Sequence, residues 1–590
     1  MADPGRRGFA SYRAWRAGGT GYGSLSLALG GIGLSLLQGL GTAIYLWWGT
    51  SADSIFPVHV TFLTGRVFEL SFALNRAGLL ALTVMNLVGF AAQLHVLIWV
   101  SPVAGRHRFH ALIMILLASG GILFTAVTPP LAPVAWLVGW EGLALSGALL
   151  AGFWTSEKSG GRTGMRWLIF QRTSGALLLL AFLTYQWFPE WAVVLILCAA
   201  CIRAGQVPFH GWFPDTTRAL ASASALVHGV ASALAAVYLL DQALLNQTTN
   251  LIAQTAPTIP IKEVLGVLGG VGVVWGIFGG LYQRSPAPAL GWLFLTHGAF
   301  SLLAFSAGDP VAARLLVAGE VLTLCGITLA VGSTIGPIAE YESMAGWPAV
   351  WRSRRAYLAL VVAALVPLSL SFLGLGRLFV ALHGLDRPLG WILQAIIASG
   401  IFGSGWILQR MYRILRGDRW LADTSQLSRE SWIDLAPSGL AAVSFGLGCV
   451  TLLLYGRSSG GGTVGFVWAA TMCALAWLGW LMSRTVGRRR VESFHQRLTS
   501  SQRLMERVAE SGLGVGELVV QLPLMAARGI GVVLWRGFGD LLIDGVLIGG
   551  AVSTIDGIGA VLRFFQNGKI QQYSLAILAA TLLLLYLMLR

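Results

Sequence analysis

Long unbroken apolar runs separated by short polar stretches dominate the chain, and a helix needs about 20 such residues to cross a bilayer. The runs fall at 24–48, 75–100, 109–127, 131–154, 164–187, 190–207, 220–246, 262–283, 286–307, 311–336, 355–383, 388–413, 434–456, 464–483 and 573–589, which makes fifteen spans. The pattern predicts an all-α polytopic membrane protein, since a backbone in lipid must satisfy its own hydrogen bonds. Between 486 and 572 the pattern changes. A basic, polar start from Arg488 to Arg507 gives way to apolar residues dotted with Arg528, Arg536, Asp540, Asp544, Asp556, Arg563 and Lys569. These charges come too often for a span. They predict an amphipathic lateral segment lying along the membrane surface or against other subunits, followed by an anchor helix at 573–590.

One stretch breaks the apolar pattern near the middle of the first half: Arg203-Ala-Gly-Gln-Val-Pro208-Phe-His210-Gly-Trp-Phe-Pro214-Asp215. Proline removes a backbone donor and pushes the preceding residue out of the helical region, so Pro208 and Pro214 predict a broken membrane helix. Broken backbone at membrane depth is tolerated only where protein buries it or a polar cavity receives it, and ionisable groups beside it mark an ion or proton path. The competing reading is a loop just outside the membrane, with Asp215 and Arg218 already in water.

Composition agrees with the pattern. Of 590 residues, 56% are hydrophobic and only 11% charged, which excludes an ordinary soluble domain. The formal net charge of +15 invites a nucleic-acid reading, but the cations sit in short clusters between apolar runs. Placing the N-terminus in the cytoplasm puts Arg106, Arg108, Lys158, Arg162, Arg166, Arg218, Arg284, Arg352, Arg354, Arg355, Arg413, Arg416, Arg419 and Arg488 to Arg490 inside. The outer loops are left nearly free of cations, as the positive-inside rule expects. The charge therefore reports topology, and no nucleic-acid partner is expected. Arg6, Arg7, Arg13 and Arg16 precede a long Gly/Leu helix with no small-residue cleavage site, which predicts a retained first span. Cys198, Cys201, Cys325, Cys449 and Cys473 all lie in apolar runs, so neither a disulfide framework nor a metal site is expected.

The candidate chemistry lies in the spans. Glu141 sits about halfway along the fourth span within Gly139-Trp-Glu-Gly, and a lone carboxylate there is costly unless paired. Arg172 on the fifth span and Arg203 on the sixth are the available cations. The preferred expectation is an interior ion pair between Glu141 and Arg203, against a pairing that serves folding alone. His228 on the seventh span can exchange protons near neutral pH, or it can be a satisfied interior histidine. His297 on the ninth span and Glu320 on the tenth are the buried-looking titratable groups of the second half before Arg377 and His383. No nucleotide-binding loop, haem or quinone signature, or nucleophile elbow appears, so neither a cofactor nor covalent chemistry is expected in this chain.

These residues resemble the antiporter-like membrane subunits of respiratory complex I and of multisubunit cation/proton antiporters. The Arg203 to Asp215 stretch is similar to the family's Lys-Ser-Ala-Gln-x-Pro-x-His-x-Trp-Leu-Pro-Asp, Ser224-Ala-Leu-Val-His-Gly to its Ser-Ala-Leu-x-His-Ala, and Gly139-Trp-Glu-Gly through Gly152-Phe-Trp to the corresponding helix. The tail, Arg563-Phe-Phe-Gln-Asn-Gly-Lys-Ile-Gln-Gln-Tyr573 before a last helix, is similar to the end of the distal, L-type subunit. The resemblance implies two inverted five-helix repeats, each with a broken helix. It divides the chain into N-terminal helices (1–108), a first repeat (109–213), a second repeat (214–383), C-terminal helices (384–485), the lateral segment (486–572) and the anchor (573–590). It implies a proton path through Glu141, Arg203 and His228 in the bacterial-type inner membrane, with other membrane subunits and an energy-supplying redox partner.

The chain departs from the family where Arg203 replaces a lysine, since arginine cannot relay a proton by releasing its own. The second broken helix has only Pro367, and the tenth span carries Glu320 with no lysine, so His297 or Glu320 stands in for the lost lysines. The other readings are the membrane half of a two-component inorganic-carbon uptake system, with a carbon-hydrating partner, and a non-pumping structural brace.

Overall fold

The computed structural model describes residues 54–61, 67–99, 106–125, 132–153, 158–217, 219–245, 260–283, 286–335, 370–384, 387–416, 461–485, 515–565 and 568–589, with positions 30 and 33. The expected spans at 24–48 and 434–456, most of the lateral segment before 515, and Pro367 lie outside the described residues. Two compact units emerge, Met1–Val520 and Gln521–Arg590.

Among its described residues the first unit is helical apart from one hairpin. Its helices are α1 (Arg76–Trp99), α2 (Arg106–Thr125), α3 (Ala132–Ala151), α4 (Lys158–Thr184), α5 (Pro189–Arg203), α6 (Phe213–Thr216), α7 (Ala221–Ala225, Leu226–Leu234 and Ala235–Leu245 in direct succession), α8 (Ile261–Tyr282), α9 (Pro286–Ser306), α10 (Pro310–Ile335), α11 (Leu370–His383), α12 (Arg387–Arg416) and α13 (Gly461–Thr485). Helices joined by short connections pack together, α2 on α3, α3 on α4, α4 on α5, α8 on α9 and α9 on α10, and α10 also packs on α11. Eleven helices among the described residues of the chain are long and apolar enough to cross a membrane. The protein is a multi-pass, helical membrane protein.

The hairpin was not anticipated. Strand β1 (Ser54–Thr61) pairs antiparallel with β2 (Val67–Leu74), in a register running from Ser54 opposite Leu74 to Thr61 opposite Val67. Its signal is visible in retrospect, because Val58-His-Val-Thr and Phe68-Glu-Leu-Ser-Phe alternate with the period of a strand and are too short to span.

The axis of the first unit is α7. Its spanning window, Ala221–Leu244, is wholly buried, whereas that of α4 is 39% buried and those of α2, α8 and α12 are each half buried. Composition explains the ranking. Helix α7 opens with Ala221-Ser-Ala-Ser-Ala, small residues that admit α1, α3 and α10 at close range. Helix α4 instead leaves Leu179, Leu180 and Leu183 outward.

In the second unit the helix begun at Val515–Val533, here α14, continues through a π-helical stretch (Leu534–Gly549) into Gly550–Phe565, and α15 (Ile570–Met588) follows. Its apolar side chains are open, Trp535 at 71% and Ile555 at 68%. By length and composition Leu518–Arg563 is apolar enough to span, contrary to the expectation from its charge spacing. Its 46 residues would measure about 69 Å, however, more than twice the hydrocarbon thickness of a bilayer.

Candidate functional site

The broken helix is built by its own sequence. Helix α5 ends at Arg203 in a Schellman motif: the Gln206 amide donates to the Cys201 carbonyl and the Gly205 amide to that of Ile202. Gly205 takes φ +59°, and a methyl there would also strike the Phe213 ring at 1.6 Å. Only glycine fits on both counts. A cis Val207–Pro208 bond follows, then a single 3-10 turn at His210–Trp212 and the short α6, which includes Pro214. Gln206, His210 and Trp212 are fully buried, so protein covers this irregular backbone and the loop reading is set aside. Asp215 at its end is held by Arg166 at 2.6 Å, with both side chains about 30% exposed.

The anticipated Glu141–Arg203 pair does not form. Glu141 on α3 pairs instead with Arg172 on α4, its side chain 28% exposed and that of the arginine 48%. The reason is local. Gly175, one turn after Arg172, leaves a slot for the carboxylate, where a methyl would stand 1.7 Å from Glu141 Oε1. Arg203 is meanwhile satisfied elsewhere. Its Nη2 donates to the Trp140 carbonyl at 2.8 Å and its Nη1 to Gln171 Oε1 at 3.1 Å. Its guanidinium carbon lies 4.2 Å from the centre of the Trp140 ring. Arginine suits this setting, because its planar fork bonds and stacks at once where lysine offers a point charge. The two cations thus bracket successive residues of α3, Arg203 on Trp140 and Arg172 on Glu141.

His228 lies in the π-helical stretch of α7, Leu226–Leu234, where Ser232 Oγ donates five residues back to the Val227 carbonyl. Widened turns of this kind recur at functional sites because they re-aim a side chain. The ring reaches Thr216 Oγ1 through Nε2 at 3.0 Å and the Ser224 carbonyl through Nδ1 at 2.9 Å. It is stacked between Trp212 and Phe294, both centroids 5.5 Å away. With Nδ1 donating to the carbonyl, Nε2 is an acceptor, and the single Thr216 hydroxyl hydrogen is divided between it and the Trp212 and Phe213 carbonyls, each 3.1 Å from Oγ1. The helix break and the axial helix therefore meet at this histidine.

His210 accepts from Trp275 Nε1 at 3.0 Å and packs against Trp292. His297 on α9 is half-buried with its ring against Phe300, 5.4 Å between centroids. Glu320 on α10 is 1% exposed. His383 ends α11 and is exposed.

Several polar contacts were missed in the sequence. Asp241 on α7 pairs with Arg314 on α10 at 2.9 Å, Asp309 pairs with Arg377, and His95 on α1 meets Ser222 on α7 at 2.8 Å. The first had a readable signal, since Asp241 and Arg314 each interrupt an apolar run. Thr216 and Gln171 had none, being ordinary polar residues whose role depends on what faces them.

This geometry, helices around a buried axis with a broken helix beside it, has counterparts among known membrane proteins. Residues 183–401 match the transmembrane family of NADH:quinone oxidoreductase and Mrp antiporters. NADH-quinone oxidoreductase subunit L of Mycobacterium tuberculosis is 25% identical over 326 residues, covering 51% of this chain and 47% of that protein. Subunit L of Pseudomonas aeruginosa is 26% identical over 335 residues, 52% of each. Subunit N of Cereibacter sphaeroides is 28% identical over 253 residues, 41% of this chain and 53% of that protein. The chain spans about half the length of the curated relatives it matches. The structure of the Mrp complex from Dietzia sp. DQ12-45-1b shares the fold, with a TM-score of 0.62 at 18% identity over 86% of this chain and 61% of that one. The chain is thus similar, over part of its length, to antiporter-like subunits of NADH:quinone oxidoreductases and shares its fold with a chain of an Mrp complex.

Proposed function

We infer that this chain is a proton-translocating membrane subunit of a complex-I-like assembly, with a remodelled path. The observation that carries the reading is the succession of polar groups around the break. The partly open Glu141–Arg172 pair comes first, then the buried Arg203 at the end of α5, bound to Trp140 next to Glu141 on α3, and then His228 at the meeting of the broken and axial helices. In this reading Glu141 is the inlet carboxylate, able to take a proton as Arg172 lets go. Arg203 is a fixed positive charge, not a relay, because its guanidinium keeps its protons at any working pH. It sets the potential that a proton near Trp140 feels. His228 is the carrier on the far side, with Thr216 and the Ser224 carbonyl fixing which nitrogen faces the break. A purely structural subunit gains nothing from an ionisable pair and a histidine kept inside an apolar bundle at their desolvation cost.

The energy comes from a neighbour, since the sequence carries no redox motif. The partners of this reading are other membrane subunits and a quinone-linked redox module in a bacterial-type inner membrane, with the N-terminus in the cytoplasm. The test is purification of the tagged chain in gentle detergent, with mass spectrometry of what accompanies it. Further antiporter-like subunits together with iron–sulfur or quinone-site subunits are expected. A lone soluble zinc protein in their place contradicts this reading and favours inorganic-carbon uptake.

A further inference from the structure

The second half of the path has lost the lysines of the family pattern, and one buried group there is unaccounted for. Glu320 is 1% exposed, and neither of its carboxyl oxygens has a hydrogen-bond partner among the described residues. None of the four ion pairs among those residues includes it. The cations nearest in sequence and packing are engaged elsewhere, Arg314 on Asp241 and Arg377 on Asp309, and His297 of the neighbouring helix packs on Phe300. A naked carboxylate in such a place is far too costly, whereas a carboxylic acid needs only an acceptor for its one hydrogen.

An acceptor is at hand. Gln206, fully buried, reaches out of the helix break of the first half and donates Nε2 to the Leu295 carbonyl of α9 at 3.4 Å, leaving its Oε1 unpartnered among the described residues. A methyl placed on Gly298, one turn further along α9, would lie 2.8 Å from Gln206 Nε2 and 4.0 Å from Glu320 Oε1. The amide and the carboxyl thus border the same point, and the missing side chain of Gly298 keeps the space between them open. Ser301, three residues on and fully buried, adds another hydroxyl without a partner among the described residues. A carboxyl and an amide with orphaned oxygens beside one buried point are what a bridging water satisfies.

We propose that Glu320 is an occluded proton-binding carboxyl of the second half, and that Gln206, carried across from the broken helix, is its positioning partner. The proposal deepens the reading of the chain as an ion-translocating subunit and rests on it for its purpose. In the loaded state the amide is turned so that Oε1, which otherwise faces Gly272 of α8 while Nε2 faces Gly298, accepts the Glu320 O–H directly or through one water. When the proton leaves to water, the electron pair of the O–H bond stays on the carboxylate. The amide then turns so that Nε2 donates to it. Gln206 gains and loses no proton. Its position in the break couples the two halves, because any shift of the loop between Arg203 and His210 moves the partner of Glu320.

Infrared difference spectroscopy on the purified assembly, with exchange into deuterium oxide, reads this site without any transport. The expected result is a carbonyl band of a protonated carboxylic acid in the intact protein, lost in Glu320→Gln and moved to higher frequency in Gln206→Met. Gly298→Ala, which changes neither polar group and drives a methyl against Gln206, should move the band in the same sense. A difference spectrum with no such band between intact protein and Glu320→Gln overturns the proton site. A band that vanishes in Glu320→Gln but stays unmoved in both Gln206→Met and Gly298→Ala overturns the role of Gln206. A failure of proton flux with these bands intact would strike the proposed function and not this site.

Discussion

Two of the ionisable groups buried inside the bundle, Arg203 and Glu320, are treated in opposite ways. Arg203 in the first half holds a carbonyl, an amide oxygen and an indole face at once. Glu320 in the second half holds nothing among the described residues. The contrast separates two ways of keeping a polar group in an apolar bundle. A permanent cation must be solvated by the protein, and the Trp140–Gln171 setting does that. A carboxyl can instead shed its charge by binding a proton, and then one acceptor is enough. In the function proposed here the first group sets a field, and the second carries the mobile charge.

The largest effect should come from spoiling the solvation of Arg203. Replacing Gln171 by Leu removes a neutral acceptor from a buried charge, and a hydrogen bond to a charged group contributes about 1.5–3 kcal/mol. The expected outcome is loss of the folded assembly from size-exclusion profiles. Glu320→Gln, by contrast, should leave the profile unchanged, since it substitutes one neutral group for another. If both variants fold equally well, the contrast between the two groups is wrong.

Next comes the break itself. Gly205→Ala forces a side chain into a left-handed conformation, which costs about 1–2 kcal/mol, and onto the Phe213 ring besides. The midpoint of thermal unfolding should fall. A smaller structural effect with a larger functional one is expected at the inlet. Glu141→Gln removes a half-exposed ion pair worth at most about 1 kcal/mol to stability, while proton flux falls to background. The smallest change is Thr216→Val, which removes one hydrogen bond to His228 at a cost of about 1 kcal/mol. It frees the ring to change tautomer, so flux should slow while the assembly stays intact.

Much of the architecture was legible in the sequence, because bilayer thickness and backbone satisfaction dictate the helical runs and Gly205, Pro208 and Pro214 dictate the break. The hairpin at Ser54–Leu74 was not foreseen, since a search for long apolar runs is blind to short alternation. In the site, Glu141, Arg172, Arg203 and His228 stood out as charged or titratable residues in apolar helices. Their pairing did not. Whether Glu141 meets Arg172 or Arg203 depends on the slot left by Gly175 and on the face of Trp140, details of packing that spacing along one helix does not encode. Gln206 was readable only as part of a motif, and its nearness to Glu320 depends on how the break of one half folds against a helix of the other.

The central claim is that protons move through this chain by way of Glu141 and His228. The direct measurement is proton flux into proteoliposomes holding the assembly purified through a tag on this chain, driven by an imposed potassium diffusion potential and read with a pH-sensitive dye. Flux is expected in the intact assembly and not in Glu141→Gln or His228→Phe, the latter keeping an aromatic ring between Trp212 and Phe294. Equal flux in all three, with the variants correctly assembled, would contradict the account.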